Sequence, residues 1–270
     1  MKKIRIISLG EIVSPNLLSG LTKLTETIAK KSGIAIVQIA SQMHTCVQDN
    51  FNLIEAFKTE KLSEPEFNKL FIDALKNETG VRLSVDELDS AWDSMNPQFF
   101  EFKHTLEQII ACNREKNPEI VLISDTNPKD IRHLIRELQA NNIPFGTDAY
   151  GHLNEISGMT IHTTYTRQLT KADLLKDVII QLRRSEAHGN SFFNEHKEER
   201  PSSDIKYIYG VNHVEFSCLK EDFDNTTAAV QKAAGRYLVE TILWNKELIP
   251  LRDLLKDRHP LQGLVCTSTL

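Results

Sequence analysis

Long apolar runs are missing from this chain, and no stretch approaches the about 20 residues that a membrane-spanning helix needs. The opening Met1-Lys2-Lys3 leads only into a short apolar run and lacks the core and cleavage site of a signal peptide. Cysteine is scarce: four (Cys46, Cys112, Cys218 and Cys266) stand far apart in 270 residues, with no CxxC pair. That spacing excludes a disulfide framework and suits reduced, mostly buried thiols. Cys266 is fifth from the end, which excludes a prenylation box. Basic charge is not in excess either. Against 37 acidic side chains stand 32 basic ones, so the electrostatic footprint of a nucleic-acid binder is lacking. The expectation from these absences is a soluble, cytoplasmic protein without nucleic-acid or membrane partners. The terminal Ser268-Thr269-Leu270 resembles a PDZ ligand by three residues only and is read as a frayed end.

What is present is an average globular composition, 40% hydrophobic and 26% charged, enough for one large domain or a core carrying an insert. Residues 4–9 read as a short buried strand. From about 14 to 95 the apolar residues recur at helical spacing, with Leu17, Leu18, Leu21 and Leu24, then Phe51, Ile54 and Phe57, then Phe67, Leu70, Phe71 and Leu75. Ser63-x-x-Glu66 and Ser84-x-x-Glu87 are capping boxes that start helices there.

Alternation follows. Helices are expected over 106–112, 130–138, 171–182, 225–234 and 248–255. Strands are expected over 120–123, 143–145, 160–165, 205–211, 214–219 and 237–244. Residues 183–203 are polar and read as a long loop. Strands alternating with helices predict an α/β fold, a doubly wound, Rossmann-like parallel sheet whose ligands sit at the carboxyl ends of the strands.

Four segments, in order, resemble the four motifs of the haloacid dehalogenase (HAD) hydrolases that carry a helical cap after the first strand. Ile6-Ile7-Ser8-Leu9-Gly10-Glu11 stands where the family has its nucleophilic aspartate, so Ser8 occupies the nucleophile position and Gly10 that of the general acid. Phe57-Lys58-Thr59-Glu60-Lys61-Leu62-Ser63-Glu64-Pro65-Glu66-Phe67 resembles the cap pattern F-x-x-G-x-I-S-x-x-E-F, and Ala91-Trp92-Asp93-Ser94-Met95 its W-x-x-M run. Leu122-Ile123-Ser124-Asp125-Thr126-Asn127-Pro128 resembles the second motif, with Ser124 as hydrogen-bond donor to a phosphoryl group. Thr170-Lys171-Ala172-Asp173 resembles the third, with Lys171 as the phosphate-neutralising cation. Asn225-Thr226-Thr227-Ala228-Ala229 and Gly235 resemble the latter half of the fourth. Its metal-binding acid pair falls on Tyr209 and Gly210 if 205–210 is the strand, or on Lys220 and Glu221 if 214–219 is. The approach Ser202-Ser203-Asp204-Ile205 favours the former.

The resemblance implies a core of 1–13 and 97–270 with a helical cap of 14–96. It also implies a site whose phosphate contacts are kept and whose carboxylates are replaced. A serine hydroxyl is neutral and substitutes poorly for an aspartate as nucleophile and Mg²⁺ ligand. The expected function is therefore a pseudo-phosphatase that binds a small phosphorylated ligand or a protein partner, with no cofactor. The alternative is an active phosphomonoesterase that recruits Mg²⁺ through acids such as Glu11, Asp125, Glu221 or Asp222. Those four are read as surface or loop acids. His133 and His162 flank the second and third motifs without forming a triad. His188, His196 and His213 lack metal-ligand spacing. Trp92 reads as cap core.

Overall fold

The structure, a computed structural model, describes residues 2–9, 17–94, 99–115, 118–190, 203–211, 228 and 239–245. Strand β1 (Lys2–Ser8) is buried on both faces, with Ile4, Ile6 and Ile7 all inaccessible to solvent. This is the signature of a central strand covered on both sides. Five helices follow: α1 (Leu17–Ser32), α2 (Ile36–Asp49), α3 (Phe51–Lys58), α4 (Glu64–Thr79) and α5 (Val85–Asp93). Both capping boxes are formed, at Ser63 for α4 and Ser84 for α5. Then come α6 (Phe99–Arg114), β2 (Glu119–Ser124), α7 (Pro128–Ala140), β3 (Phe145–Thr147), β4 (Leu153–Ile156) and β5 (Met159–Thr163). The described chain closes with α8 (Thr164–Arg167), α9 (Lys171–Asn190), β6 (Ser203–Val211) and β7 (Val239–Asn245).

Among the described residues the strands make one seven-stranded sheet in the order β3-β4-β5-β2-β1-β6-β7. It is parallel from β5 to β7, and β4 runs antiparallel to both its neighbours. Helices cover both faces. Leu106, Ile109 and Ile110 of α6 and Ile131, Leu134 and Leu138 of α7 pack with Ile7, Leu122 and Ile208. On the other face Leu174, Leu175, Val178 and Ile179 of α9 pack with Ile4, Ile6, Ile123 and Tyr207. The helices between β1 and β2 bury a third cluster of their own, centred on Phe57, Phe67, Phe71 and Leu75. None of the helices, among the described residues, is long and apolar enough to cross a membrane.

Several boundaries differ from the sequence reading. The polar stretch expected as a loop from 183 is helical to Asn190, and Ser203 already belongs to β6. Charged and small polar residues tolerate a helix whose apolar stripe lies earlier in the same element, so polarity alone did not mark its end. Strand β5 ends at Thr163, because the Thr163 hydroxyl accepts a hydrogen bond from the Thr166 amide at 3.0 Å and starts α8. The strand expected at 143–145 is shifted to Phe145–Thr147, and the short β4 was not anticipated. It joins β5 through Ser157 and Gly158, both with positive φ (50° and 81°), as a two-residue hairpin requires. Lys171 opens α9 as expected but follows the short helix α8 rather than a strand. Residues 214–219, 225–227, 229–235 and 248–255, with the C-terminal tail, lie outside the described residues.

Candidate anion site at the strand ends

Ser8 and Ser124 terminate neighbouring parallel strands. In the β1–β2 register Ser8 lies opposite Ile123, so Ser124 stands one residue further out. Ser8 is fully buried and Ser124 is 6% exposed. On the other side of β1, Ile7 lies opposite Ile208, which puts Tyr209 beside Ser8 in the sequence of β6 and Gly210 one step beyond. The strand next to β1 is thus 203–211. Lys220 and Glu221, with Asn225, Gly235, Glu11 and Asp222, lie outside the described residues. Ser124 also lies opposite Thr163, the last residue of β5, from which α8 leads to Lys171. Four of the expected positions, Ser8, Ser124, Tyr209 and Gly210, therefore lie toward one carboxyl edge of the sheet, and Lys171 opens α9, the helix that α8 joins to the end of β5.

Local sequence explains how the edge is shaped. Asn127 caps α7, its side-chain oxygen accepting from the amides of Lys129 (3.0 Å) and Asp130 (3.2 Å), and Pro128 occupies the first turn. Thr170 caps α9: its hydroxyl accepts from the Asp173 amide at 3.3 Å and donates to the Asp173 carboxylate at 2.8 Å. The Lys176 and Thr170 hydrogen bonds hold Asp173 below the usual carboxylate range.

The acid next to Ser124 is fully engaged. Asp125 accepts from Lys58 Nζ at 3.0 Å through one oxygen and from Thr164 Oγ1 at 3.2 Å through the other. Lys58 comes from α3 and also pairs with Glu55 at 3.3 Å. Burial opposes its charge, but the carboxylates of Asp125 and Glu55 outweigh burial and raise its pKa. Mg²⁺ wants anionic oxygens in near-octahedral array. Ser8 offers a neutral hydroxyl and Asp125 has both oxygens taken, so these residues do not fit that ion.

Further contacts, none anticipated from sequence, join the helices after β1 to the sheet edge. Trp92 Nε1 donates to Asp130 at 2.8 Å, and the indole packs edge-on to Phe57 and Phe67. Asn127 Nδ2 donates to the same carboxylate at 2.6 Å. Burial pushes Asp130 up, against these donors and the nearby Lys58. Lys129, 6% exposed, pairs with Asp89, and Arg132 forks onto Glu64 with two 2.7 Å hydrogen bonds.

One contact joins two strained residues. Helix α3 closes with Lys61 N bonded to Ala56 O (2.8 Å) and Glu60 N to Phe57 O (3.3 Å). Helix α8 closes likewise, with Leu169 N to Thr164 O and Gln168 N to Tyr165 O, both 3.3 Å. Such ends favour glycine at the left-handed position. Here that position is Glu60 (φ 59°) and Gln168 (φ 53°), and Gln168 Nε2 donates to Glu60 Oε2 at 2.9 Å. Glu60 stands where the HAD cap pattern has glycine. A left-handed non-glycine costs about 1–2 kcal/mol, and a side-chain hydrogen bond returns about 0.5–1.5 kcal/mol. Glu60→Gly is therefore expected to be near neutral, whereas Glu60→Ala, which keeps the strain and loses the bond, is expected to be destabilised by about 1 kcal/mol. Urea unfolding of both variants compares them; equal stabilities would show that the left-handed turn is not strained.

The two histidines beside the motifs take structural parts. His133 lies 3.9 Å from Glu137 one turn on. His162, on β5, has Nδ1 3.3 Å from the Arg167 guanidinium, and burial together with Arg167 lowers its pKa from 6.5, against Asp177. A depressed histidine contributes stability above its unfolded pKa that is lost as pH falls toward the folded value. The melting temperature is thus expected to fall below pH 6.5, less steeply in His162→Gln. Identical pH slopes in the two proteins would remove His162 from the account.

Comparison with solved structures gives the overall likeness. A HAD family enzyme of Bacteroides thetaiotaomicron superposes with a TM-score of 0.51 at 13% identity, over 89% of this chain and 93% of that one. The chain has the HAD fold. The same enzyme in complex with magnesium and inorganic phosphate matches with a TM-score of 0.47 at 13% identity, over 90% of this chain and 94% of that one. No family model matches the chain, and no curated protein matches it significantly. In the HAD fold seen here, β1 with Ser8 at its end lies between β2 and β6, and the helical block follows β1 directly.

Proposed function

We propose that this HAD-fold chain binds a phosphorylated ligand at the carboxyl edge of the sheet and does not hydrolyse it. Ser124 donates a hydrogen bond to the phosphoryl group, and Lys171 at the start of α9 supplies the compensating charge. The observation that carries this reading is Ser8: a fully buried neutral hydroxyl occupies the end of the central strand, one register step from Ser124. Phosphoryl transfer through an enzyme ester needs an anionic or activated nucleophile there. The neighbouring acid, Asp125, is neutralised by Lys58, so the local charge favours an anion over a cation. The helical block plays the part of a cap over the edge through the Lys58, Glu60 and Trp92 contacts.

The test is ligand-induced stabilisation of the whole chain, with EDTA present. Phosphate or a sugar phosphate at about 100 times its Kd should stabilise the wild type by about 2.7 kcal/mol, and Lys171→Ala should lose most of that shift. A shift retained in Lys171→Ala, or absent from the wild type, overturns the reading. Turnover of p-nitrophenyl phosphate that requires Mg²⁺ would establish instead an active phosphomonoesterase that draws on acids elsewhere in the chain.

A further inference from the structure

We infer, on the reading that Ser124 and Lys171 hold a phosphoryl group, that the ligand is an aryl phosphate whose single aromatic ring lodges in the small pocket between α7, the turn from β3 to β4, and α8. The pocket encloses about 160 Å³. An apolar cavity of about 150 Å³ holds one benzene ring, so one ring fits here and a fused pair would protrude.

The strands set its position. Ser124 and Thr163 are register partners on β2 and β5, and paired strands lie about 4.8 Å apart. Alternation turns Ser124 to the side of Ile120 and Leu122, and Thr163 to the side of Met159 and Ile161. All four of those apolar residues belong to the cluster that α7 covers, so Ser124 and Thr163 share the α7 face. Thr163 lines the pocket, and so does Pro128, which follows Ser124 at the start of α7. The phosphoryl donor and the pocket are therefore neighbours on one face of the sheet.

The walls suit a flat ring. Ile131, Ile135 and Leu153 supply aliphatic surface, and the planar groups of Arg132, His152 and Tyr165 supply the rest. His152 and Tyr165 meet edge-on at 88°, with 5.7 Å between ring centroids. All three planar groups are held in place. Asp148 accepts from the amides of Tyr150 and His152, both at 2.9 Å, and its other oxygen lies 3.2 Å from His152 Nδ1. Arg132 is forked onto Glu64, and the Tyr165 hydroxyl is bonded to Glu60. Aromatic edges and a guanidinium are drawn to the face of a π system and not to a saturated ring. Glu60 and Glu64 belong to the helical block, so the ring would sit where the block is fastened to the sheet edge.

The experiment titrates the full-length chain in EDTA with inorganic phosphate, phenyl phosphate and cyclohexyl phosphate, by calorimetry and by NMR of the His152 ring, assigned by its loss in His152→Gln. Phenyl phosphate is expected to bind about tenfold more tightly than inorganic phosphate and about threefold more tightly than cyclohexyl phosphate. Inorganic phosphate should displace it competitively. Its ring current should move the His152 resonances, and cyclohexyl phosphate should move them far less. Ile135→Phe, which fills the pocket, should bring phenyl phosphate down to the affinity of inorganic phosphate. Tyr165→Leu should equalise phenyl and cyclohexyl phosphate, and it decides the matter with the wild-type resonances if Ile135→Phe does not fold. Equal binding of phenyl and cyclohexyl phosphate, no advantage of either over inorganic phosphate, unmoved His152 resonances, or simultaneous binding of phosphate and phenyl phosphate would each overturn the inference and leave the phosphate reading standing. Failure of inorganic phosphate to bind the wild type would overturn both.

Discussion

Ser8→Asp, which restores the carboxylate of the family motif, is expected to lower the melting temperature in EDTA on the order of 10 °C. The position is fully buried at the end of the central strand, between β2 and β6. A buried carboxylate offset only in part, by Lys171, costs about 3 kcal/mol, the low end of the range for an unpaired buried charge, and about 2–4 °C accompanies each kcal/mol in a chain of this size. Lys58 offers no relief, because it is already held by Asp125 and Glu55. Thermal melts with and without Mg²⁺ make the comparison. If Mg²⁺ restores the wild-type value, acids outside the described residues complete a metal site and the first motif alone has been lost. If the variant melts like the wild type in EDTA as well, the edge around Ser8 is far more polar than its burial implies, and the account of the site fails.

Phe67→Ala is expected to cost about 3–5 kcal/mol, the range for deleting a buried aromatic ring. Phe67 has no solvent exposure. It stacks on Phe57 at 4.3 Å and on Phe71 at 5.4 Å, and Trp92 meets it edge-on at 5.6 Å. Loss of the ring would leave a cavity inside the helical block and loosen the indole that bonds to Asp130. Denaturant unfolding followed by Trp fluorescence measures it, and a cost under about 1 kcal/mol would mean that the cluster refills the space. The Phe67 variant should lose stability whether or not phosphate is present, whereas Lys171→Ala is expected to lose the phosphate-induced shift.

Much of the scaffold was legible locally. The capping boxes at Ser63 and Ser84 formed because each needs only residues three apart, and Asn127-Pro128 began α7 for the same reason. The apolar stripe Leu174, Leu175, Val178 and Ile179 placed α9 on the sheet, and the family motifs placed Ser8 and Ser124 at strand ends. The misread segments are those whose outcome depends on neighbours. Thr164 and Tyr165 continue a β-like run until the Thr163 cap turns them into helix, and 183–190 stay helical by extending an already packed element. The partner of Arg5 likewise comes from afar: in the strand expected to be buried it is wholly buried, with its guanidinium 3.2 Å from Asp204, 199 residues on.

The termination of β1 by Ser8 and of β2 by Ser124 was thus determined by the sequence itself, since motif order and apolar runs are local properties. The replacement of a carboxylate by a hydroxyl was equally plain there. The approach Ser202-Ser203-Asp204-Ile205 favoured 205–210 as the strand beside β1, and the tertiary structure decided for it, because pairing over some 200 residues of chain is settled by packing on both faces. It alone decided that Asp125 is spent on Lys58, 67 residues away, and that Glu60 and Gln168, 108 apart, hold each other in left-handed turns. Charges and strained residues find partners across space, and residue spacing carries no trace of that choice.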